Sequence, residues 1–284
     1  MLQTQNIAFI GPGVMAEAMI AGLLRQGLAE PSTMIVAGPR AERNDELKAR
    51  YGVQGCVENA EAARQADVVV LAIKPQRLGR VLAGLQGVLR PEALVLSIVA
   101  GAPIEKISAG LGHDVVVRSM PNTPAQIGEG ITVWTSAPSV SAQQCEIARQ
   151  MLSALGEEIY VEDETYLDMA TALSGTGPAY VFLFMEAMVD AGVHLGFPRR
   201  IAEQLVAQTL RGSVDYYRRA SPEHLARLRN QVTSPGGTSA AALYYLEKAG
   251  FRTAISRAIW AAYERSQELG RGGASRPPGK AANE

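Results

Sequence analysis

Residues 6–16 read NIAFIGPGVMA, and the order of their parts decides the fold. Asn6 to Ile10 is a short β-branched and aromatic run of the kind that forms a strand. It passes directly into Gly11-Pro12-Gly13-Val14-Met15-Ala16, and the following EAMIAGLLRQG is helical, with apolar residues at Ala18, Met19 and Leu23. Strand, glycine turn and helix in that order open a dinucleotide-binding βαβ unit. Gly11 allows the tight turn, Gly13 lets a pyrophosphate approach the backbone, and Ala16 stands where Gly or Ala permits close helix packing.

Outward from that turn, the chain repeats the pattern. Thr33 to Ala37 (TMIVA) predicts a second strand ending beside an adenosine ribose. No carboxylate waits there for a free 2'-hydroxyl; the chain offers Gly38, Pro39 and Arg40, with Arg43 a turn later. Guanidinium groups suit a 2'-phosphate, which points to NADP rather than NAD. Asp67 to Ile73, Leu94 to Val99 and Val115 to Arg118 are continuous apolar runs of central parallel strands, each ending in a Gly- or Pro-marked turn. Those turns would rim one cofactor crevice. Ile131 to Thr135 and Glu158 to Val161 predict further strands.

From about Glu162 the character changes to long Ala-, Leu- and Met-rich segments. Helices are predicted over Tyr166 to Leu173, Pro178 to Leu195, Pro198 to Arg219, Pro222 to Asn230, Ser239 to Lys248 and Phe251 to Leu269. PAYVFLFMEAMVDAGVHLG is apolar on more than one face and wants burial on several sides, which predicts a helix-mediated dimer. The expected organisation is therefore α/β: an N-terminal Rossmann-like dinucleotide-binding domain over 1–162, a C-terminal all-helical substrate and dimerisation domain over 163–269, and a disordered tail over 270–284.

Composition narrows the partners. With 27 Lys plus Arg against 28 Asp plus Glu, the formal charge is -1, so no global field recruits nucleic acid or an anionic membrane. Cys56 and Cys145 have no paired spacing, which argues against a disulfide framework or a structural metal and fits a reducing cytoplasm. The N-terminus lacks a basic region followed by a long apolar run, and no stretch approaches the ~20 uncharged apolar residues of a membrane span. Small molecules and another copy of the chain are the expected partners.

A second turn carries the chemistry. In Asn230 to Glu247, NQVTSPGGTSAAALYYLE, Pro235 stops one helix, Gly236 and Gly237 can take angles closed to other residues, and Thr238 or Ser239 can cap the next helix. A helix N-terminus with two glycines at its mouth suits a small carboxylate. Acid-base residues are scarce nearby: no Lys lies between Lys106 and Lys248, and His113, His194 and His224 are scattered. Hydride transfer to a protonated imine needs no strong acid or base, because the carbon is already electrophilic and the nitrogen keeps its proton. A hydroxyl beside the nitrogen suffices, and Thr238 or Ser239 supplies one.

GPGVMA, AIKP at Ala72 to Pro75, MPNTP at Met120 to Pro124, SGTGPAY at Ser174 to Tyr180 and VTSPGGT at Val232 to Thr238 together resemble the motifs of the Δ1-pyrroline-5-carboxylate reductase family. The resemblance runs over roughly residues 6–269 and keeps the family's order and spacing. It implies NADPH-dependent reduction, NADH being tolerated, of 1-pyrroline-5-carboxylate to L-proline, the last step of proline synthesis. It also implies a homodimer interlocked through the helical half, or a pentamer of dimers. By motif it assigns Ile10, Gly11, Pro12, Gly13, Val14, Met15, Asn59, Ala72, Ile73, Lys74, Pro75, Ile98, Val99 and Ala100 to the cofactor, beside Arg40 from the strand reading. Glu164, Gly236, Gly237, Thr238 and Ser239 match positions near the substrate, with Ser239 on the family hydroxyl, usually Thr, that faces the ring nitrogen. Gln231 stands where Asn is frequent, a departure from the pattern. A reductase of a different cyclic imine, such as a six-membered ring, would share every motif, and a non-catalytic NADP-binding regulator would keep the glycine turn alone.

Overall fold

The structure is a computed structural model and describes residues 2–220 and 222–271. The tail expected over 270–284 lies outside them from residue 272 onward. By packing, the chain forms two compact units, one running to Thr176 and resumed from Ala262, the other Gly177–Ala261.

The first unit is built on an eight-stranded sheet: β1 Ile7–Ile10, β2 Met34–Ala37, β3 Gln54–Cys56, β4 Val68–Leu71, β5 Leu94–Ser97, β6 Val116–Met120, β7 Gly130–Ser136 and β8 Gly156–Tyr160. Their order across the sheet is β3-β2-β1-β4-β5-β6-β7-β8. The first six are parallel in the doubly wound order, with the topological switch between β1 and β4. β7 turns antiparallel against β6, and β8 is parallel to β7. The helices of this unit are α1 Val14–Arg25, α2 Ala41–Tyr51, α3 Asn59–Arg64, α4 Leu78–Leu85, α5 Ile104–Leu111, α6 Ala142–Ser153 and α7 Tyr166–Ala170.

Alternation along each strand explains why the central strands are apolar throughout. Ile7, Phe9, Val68, Val70, Leu94 and Leu96 enter one core with Met19, Leu23 and Leu152. Ala8, Ile10, Val69, Leu71 and Val95 enter the opposite core with Leu82, Ile107 and Leu111. Helices cover both faces, so every side chain on these strands is removed from water, at about 1.5–3 kcal/mol for each large one. β3 was not anticipated; it has three residues and no apolar pattern, and it is held by pairing with β2.

The second unit contains α8 Gly177–His194, α9 Arg199–Arg219, α10 Leu225–Gln231, α11 Thr238–Lys248 and the first part of α12 Phe251–Gly270. A π-turn at Thr171–Gly175 joins α7 to α8, so the two helices expected around Leu173 form one run. α10 begins at Leu225 rather than Pro222, because the imidazole of His224 accepts the Ala226 amide at 3.1 Å and caps it. Within the 29-residue run Tyr166–His194 an 18-residue window of mean hydropathy 1.2 is long and apolar enough, by length and composition alone, to cross a bilayer, although the run carries Asp168, Glu186 and Asp190. Its α8 portion exposes Val181, Phe182, Leu183 and Phe184, and among the described residues the buried cluster of this unit is small, Val189, Ala202 and Val206, with Leu228 buried apart from it.

Candidate active site

The nucleotide crevice is assembled at the carboxyl ends of β1, β2, β4 and β5. Gly11 leaves β1 at φ 94°, and a Cβ there would stand 2.6 Å from Ile73 Cγ2 and 2.8 Å from the Ala72 carbonyl oxygen. Only glycine fits both the angle and the space. Its amide donates to the Ala37 carbonyl at 2.8 Å, and the Ala72 amide donates to Ile10 at 2.9 Å, which ties the turn to β2 and β4. Gly13 is the N-cap of α1 and contributes no side-chain cap. The first amides of α1, from Val14 and Met15, therefore face the crevice mouth without an intrahelical partner.

The other expected cofactor residues follow the neighbouring strands. Ile73, Lys74 and Pro75 follow β4, and Ile98, Val99 and Ala100 follow β5. Asn59 opens α3 beyond β3, and its Oδ1 is buried without a hydrogen-bond partner among the described residues. Arg40 is exposed at the end of the turn after β2, and its guanidinium has no partner among the described residues.

Arg43 departs from expectation. Its guanidinium donates to the Pro12 carbonyl at 3.0 Å and pairs with Glu17 and, at 2.8 Å, with Glu46. It braces the glycine turn instead of pointing to solvent or a 2'-phosphate. Glu17 also accepts Arg50 at 2.7 Å and the Tyr51 hydroxyl at 2.9 Å. Burial pushes the Glu17 carboxyl up, but the Arg43 and Tyr51 hydrogen bonds and the two guanidinium charges outweigh it and hold the group below its ordinary value.

Arg118 was missed as well. On β6 and 4% exposed, it splits its guanidinium between Glu164 at 2.9 Å and Asp168 at 2.8 Å. Glu164 Oε1 also accepts the Ile104 amide at the start of α5, and Asp168 accepts the Ser266 hydroxyl of α12 at 2.9 Å. Glu164, expected near the substrate, thus has one oxygen occupied by the protein's own donors. The available signal was a lone Arg inside VVVRSM.

In the second unit, the PGGTS turn forms a bare helix terminus. Gly236 takes φ 72°, and a Cβ on Gly237 would stand 2.5 Å from Ser234 Oγ. The N-cap of α11 is Gly237, with no side-chain cap, so the expectation that Thr238 or Ser239 caps this helix is corrected. Gly237 takes the extended cap conformation, which leaves Thr238 and Ser239 as the first two helical residues. Their amides lack intrahelical acceptors, and their hydroxyls make no hydrogen bond among the described residues. Gln231 ends α10 and is exposed. The histidines stay apart: His113 contacts the Ala93 carbonyl, His194 ends α8 and His224 caps α10.

A doubly wound sheet with an uncapped glycine turn at its switch point, followed by a helical unit with a second uncapped terminus, defines a dinucleotide-dependent oxidoreductase. Residues 164–269 match the family model for pyrroline-5-carboxylate reductase dimerisation, and residues 6–101 match that for NADP oxidoreductase, coenzyme F420-dependent. The chain is 44% identical over 267 residues to the pyrroline-5-carboxylate reductase of Synechocystis sp., covering 94% of this chain and 98% of that protein. Against the Pseudomonas aeruginosa enzyme of the same name it is 43% identical over 270 residues, covering 94% and 98%. A crystal structure of Plasmodium falciparum pyrroline carboxylate reductase with NADP bound superposes with TM-score 0.87 at 32% identity, over 95% of this chain and all of that one. This chain belongs to the pyrroline-5-carboxylate reductase family.

Proposed function

We propose that this protein reduces 1-pyrroline-5-carboxylate to L-proline with NADPH, accepting NADH less well, as the closing step of proline biosynthesis in the cytoplasm. The observation that carries the reading is the uncapped N-terminus of α11 behind Gly236 and Gly237, an anion site with two unbonded hydroxyls in its first turn.

The residues present fit the dinucleotide. Among the described residues the buried Oδ1 of Asn59, the first amides of α1 and the guanidinium of Arg40 have no partner, and they are polar groups that such a ligand would satisfy. When bound, NADPH supplies the hydride. Ile10 to Met15 would hold its pyrophosphate and Arg40 its 2'-phosphate, with Ala72 to Pro75 and Ile98 to Ala100 along the rest of the crevice.

In the helical unit, the amides of Thr238 and Ser239 would receive the substrate carboxylate, assisted by the α11 dipole. Ser239 Oγ would accept from the N–H of the protonated imine and keep the ring oriented, with Thr238 as the neighbouring hydroxyl. The nitrogen retains its proton as the adjacent carbon is reduced, so no residue has to cycle as acid and base. Catalysis rests on positioning and electrostatics. Gln231 and Glu164 belong to this reading as flanking substrate contacts.

The exposed apolar face of α8 supports a homodimer, and dimers gathered five to a ring complete the assembly we propose. Mixing the protein with NADPH and 1-pyrroline-5-carboxylate and following the reduced-nicotinamide absorbance tests the activity. Proline formation with stoichiometric loss of absorbance is expected; an unchanged absorbance would overturn the reading.

A further inference from the structure

Two consecutive residues of α2 hold two different turns of the nucleotide crevice. Arg43 Nε donates to the Pro12 carbonyl at 3.0 Å, within the glycine turn after β1. Asn44, 3% exposed, donates from Nδ2 to the Gly38 carbonyl at 3.0 Å and to the Cys56 carbonyl at 2.7 Å. The Gly38 amide meets the same Cys56 carbonyl at 3.2 Å. One side-chain NH2 group therefore clasps the carboxyl ends of β2 and β3, at the start of the turn that leads to Arg40.

Two features show that the clasp is a donor's task and that its position matters. Asn44 Oδ1 is buried without a partner among the described residues, a cost that a residue placed for packing alone would not carry. Gly38 lies against Pro12: a Cβ on it would stand 2.6 Å from Pro12 Cδ. The two turns touch, yet each has its own tether from α2.

We propose that Arg43 and Asn44 are positioning residues that divide cofactor recognition between them. Arg43 sets the pyrophosphate turn, which NADPH and NADH use alike. Asn44 sets the Gly38–Arg40 turn, which only the 2'-phosphate of NADPH engages through Arg40. This rests on the reading of Arg40 as the 2'-phosphate ligand.

The test is binding of NADP+ and of NAD+ to the full-length protein by titration calorimetry, for the wild type and for Arg40→Ala, Arg43→Gln and Asn44→Ala. Thermal melting of each variant restricts the comparison to folded protein, and Asn44→Ser, whose short side chain has a single O–H and cannot bond both carbonyls, stands in if the alanine variant does not fold. Arg40→Ala should weaken NADP+ about tenfold or more and spare NAD+, as loss of a charge-assisted contact does. Arg43→Gln should weaken both by one factor. Asn44→Ala should weaken NADP+ about five- to tenfold more than NAD+, the scale of a lost hydrogen bond. A mere loss of stability would lower the melting point and leave the ratio alone. If Arg40→Ala is selective while the Asn44 variants leave the NADP+ to NAD+ ratio unchanged, the positioning role is overturned and the reading of Arg40 stands. If Arg40→Ala does not change the ratio, the reading of Arg40 itself falls.

Discussion

Replacing Glu17 by Gln should destabilise the protein at neutral pH and cost progressively less as the solution is acidified. Glu17 joins α1 to α2 through three donors, and they are not equal. Its pair with Arg43 is largely shielded, at 17% and 16% side-chain exposure, so it falls in the range of about 1.5–3 kcal/mol for a charged hydrogen bond. The Tyr51 hydroxyl adds about 1 kcal/mol. Arg50 is 63% exposed, and its pair contributes no more than about 0.5 kcal/mol. Glutamine keeps the shape and one acceptor, and Arg43 keeps Glu46 and the Pro12 carbonyl, so the net loss is about 2 kcal/mol, or about 4–8 °C in melting temperature. The folded-state pKa of Glu17 lies below its ordinary 4.5, so its contribution is present above that value and disappears as pH falls through the folded pKa. Melting curves of wild type and Glu17→Gln at about pH 7 and about pH 4 would show the gap narrowing in acid. A gap independent of pH, or an Arg50→Ala variant as damaged as Arg43→Gln, would refute the ranking.

Ser239→Ala should lower kcat by about tenfold to a hundredfold, as loss of one positioned hydrogen-bonding group does, with NADP+ affinity unchanged in titration; equal loss of both would remove Ser239 from the site. Arg118→Met should cost about 3 kcal/mol in urea unfolding, because Glu164 and Asp168 are left without their shared cation, and a wild-type midpoint would contradict that account. Leu183→Glu, at a position 66% exposed on α8, should shift the sedimenting species toward monomer and weaken the dependence of the melting temperature on protein concentration; an unchanged oligomer would separate this face from the subunit contact.

What was legible in the sequence is what the backbone dictates locally. The strand-glycine-helix order at 6–16 admits one geometry, because Gly11 must turn at positive φ against Ile73 and Ala72. The β4 and β5 runs announce burial on both faces because no polar residue interrupts them. The illegible features are those settled by partners far along the chain. Arg43 reads as a surface charge until Glu17, 26 residues earlier, is brought to it by the packing of α1 on α2. The ion pair of Glu164 cannot be read until Arg118, 46 residues earlier, is brought beside it by the packing of α7 on the sheet. Asn44 carries no pattern at all, since its partners are backbone carbonyls. At the PGGTS turn, the residue types were read correctly as a helix start, but the cap fell one residue earlier than the hydroxyls. Sequence character changes near Glu162, whereas packing changes at Thr176, because α7 and the π-turn are helical yet anchored to the sheet through Arg118 and Asn122.

Asn122 and Pro178 explain why two of the quoted motifs travel together. In MPNTP, Asn122 Oδ1 accepts the Ile131 amide at 3.0 Å while its Nδ2 donates to the Ser174 carbonyl at 3.2 Å. In SGTGPAY, the residue four positions after Ser174 is Pro178, which has no N–H to return to that carbonyl. The proline at the start of α8 therefore creates a need that the asparagine after β6 meets, and it does so one step before the chain passes from the first compact unit to the second. The hydroxyls at 171, 174 and 176 turn inward to the carbonyls of Leu167, Ala170 and Thr171, so the π-turn is stitched internally as well. Two of the five motifs by which this chain resembles its family thus meet in backbone satisfaction at one joint.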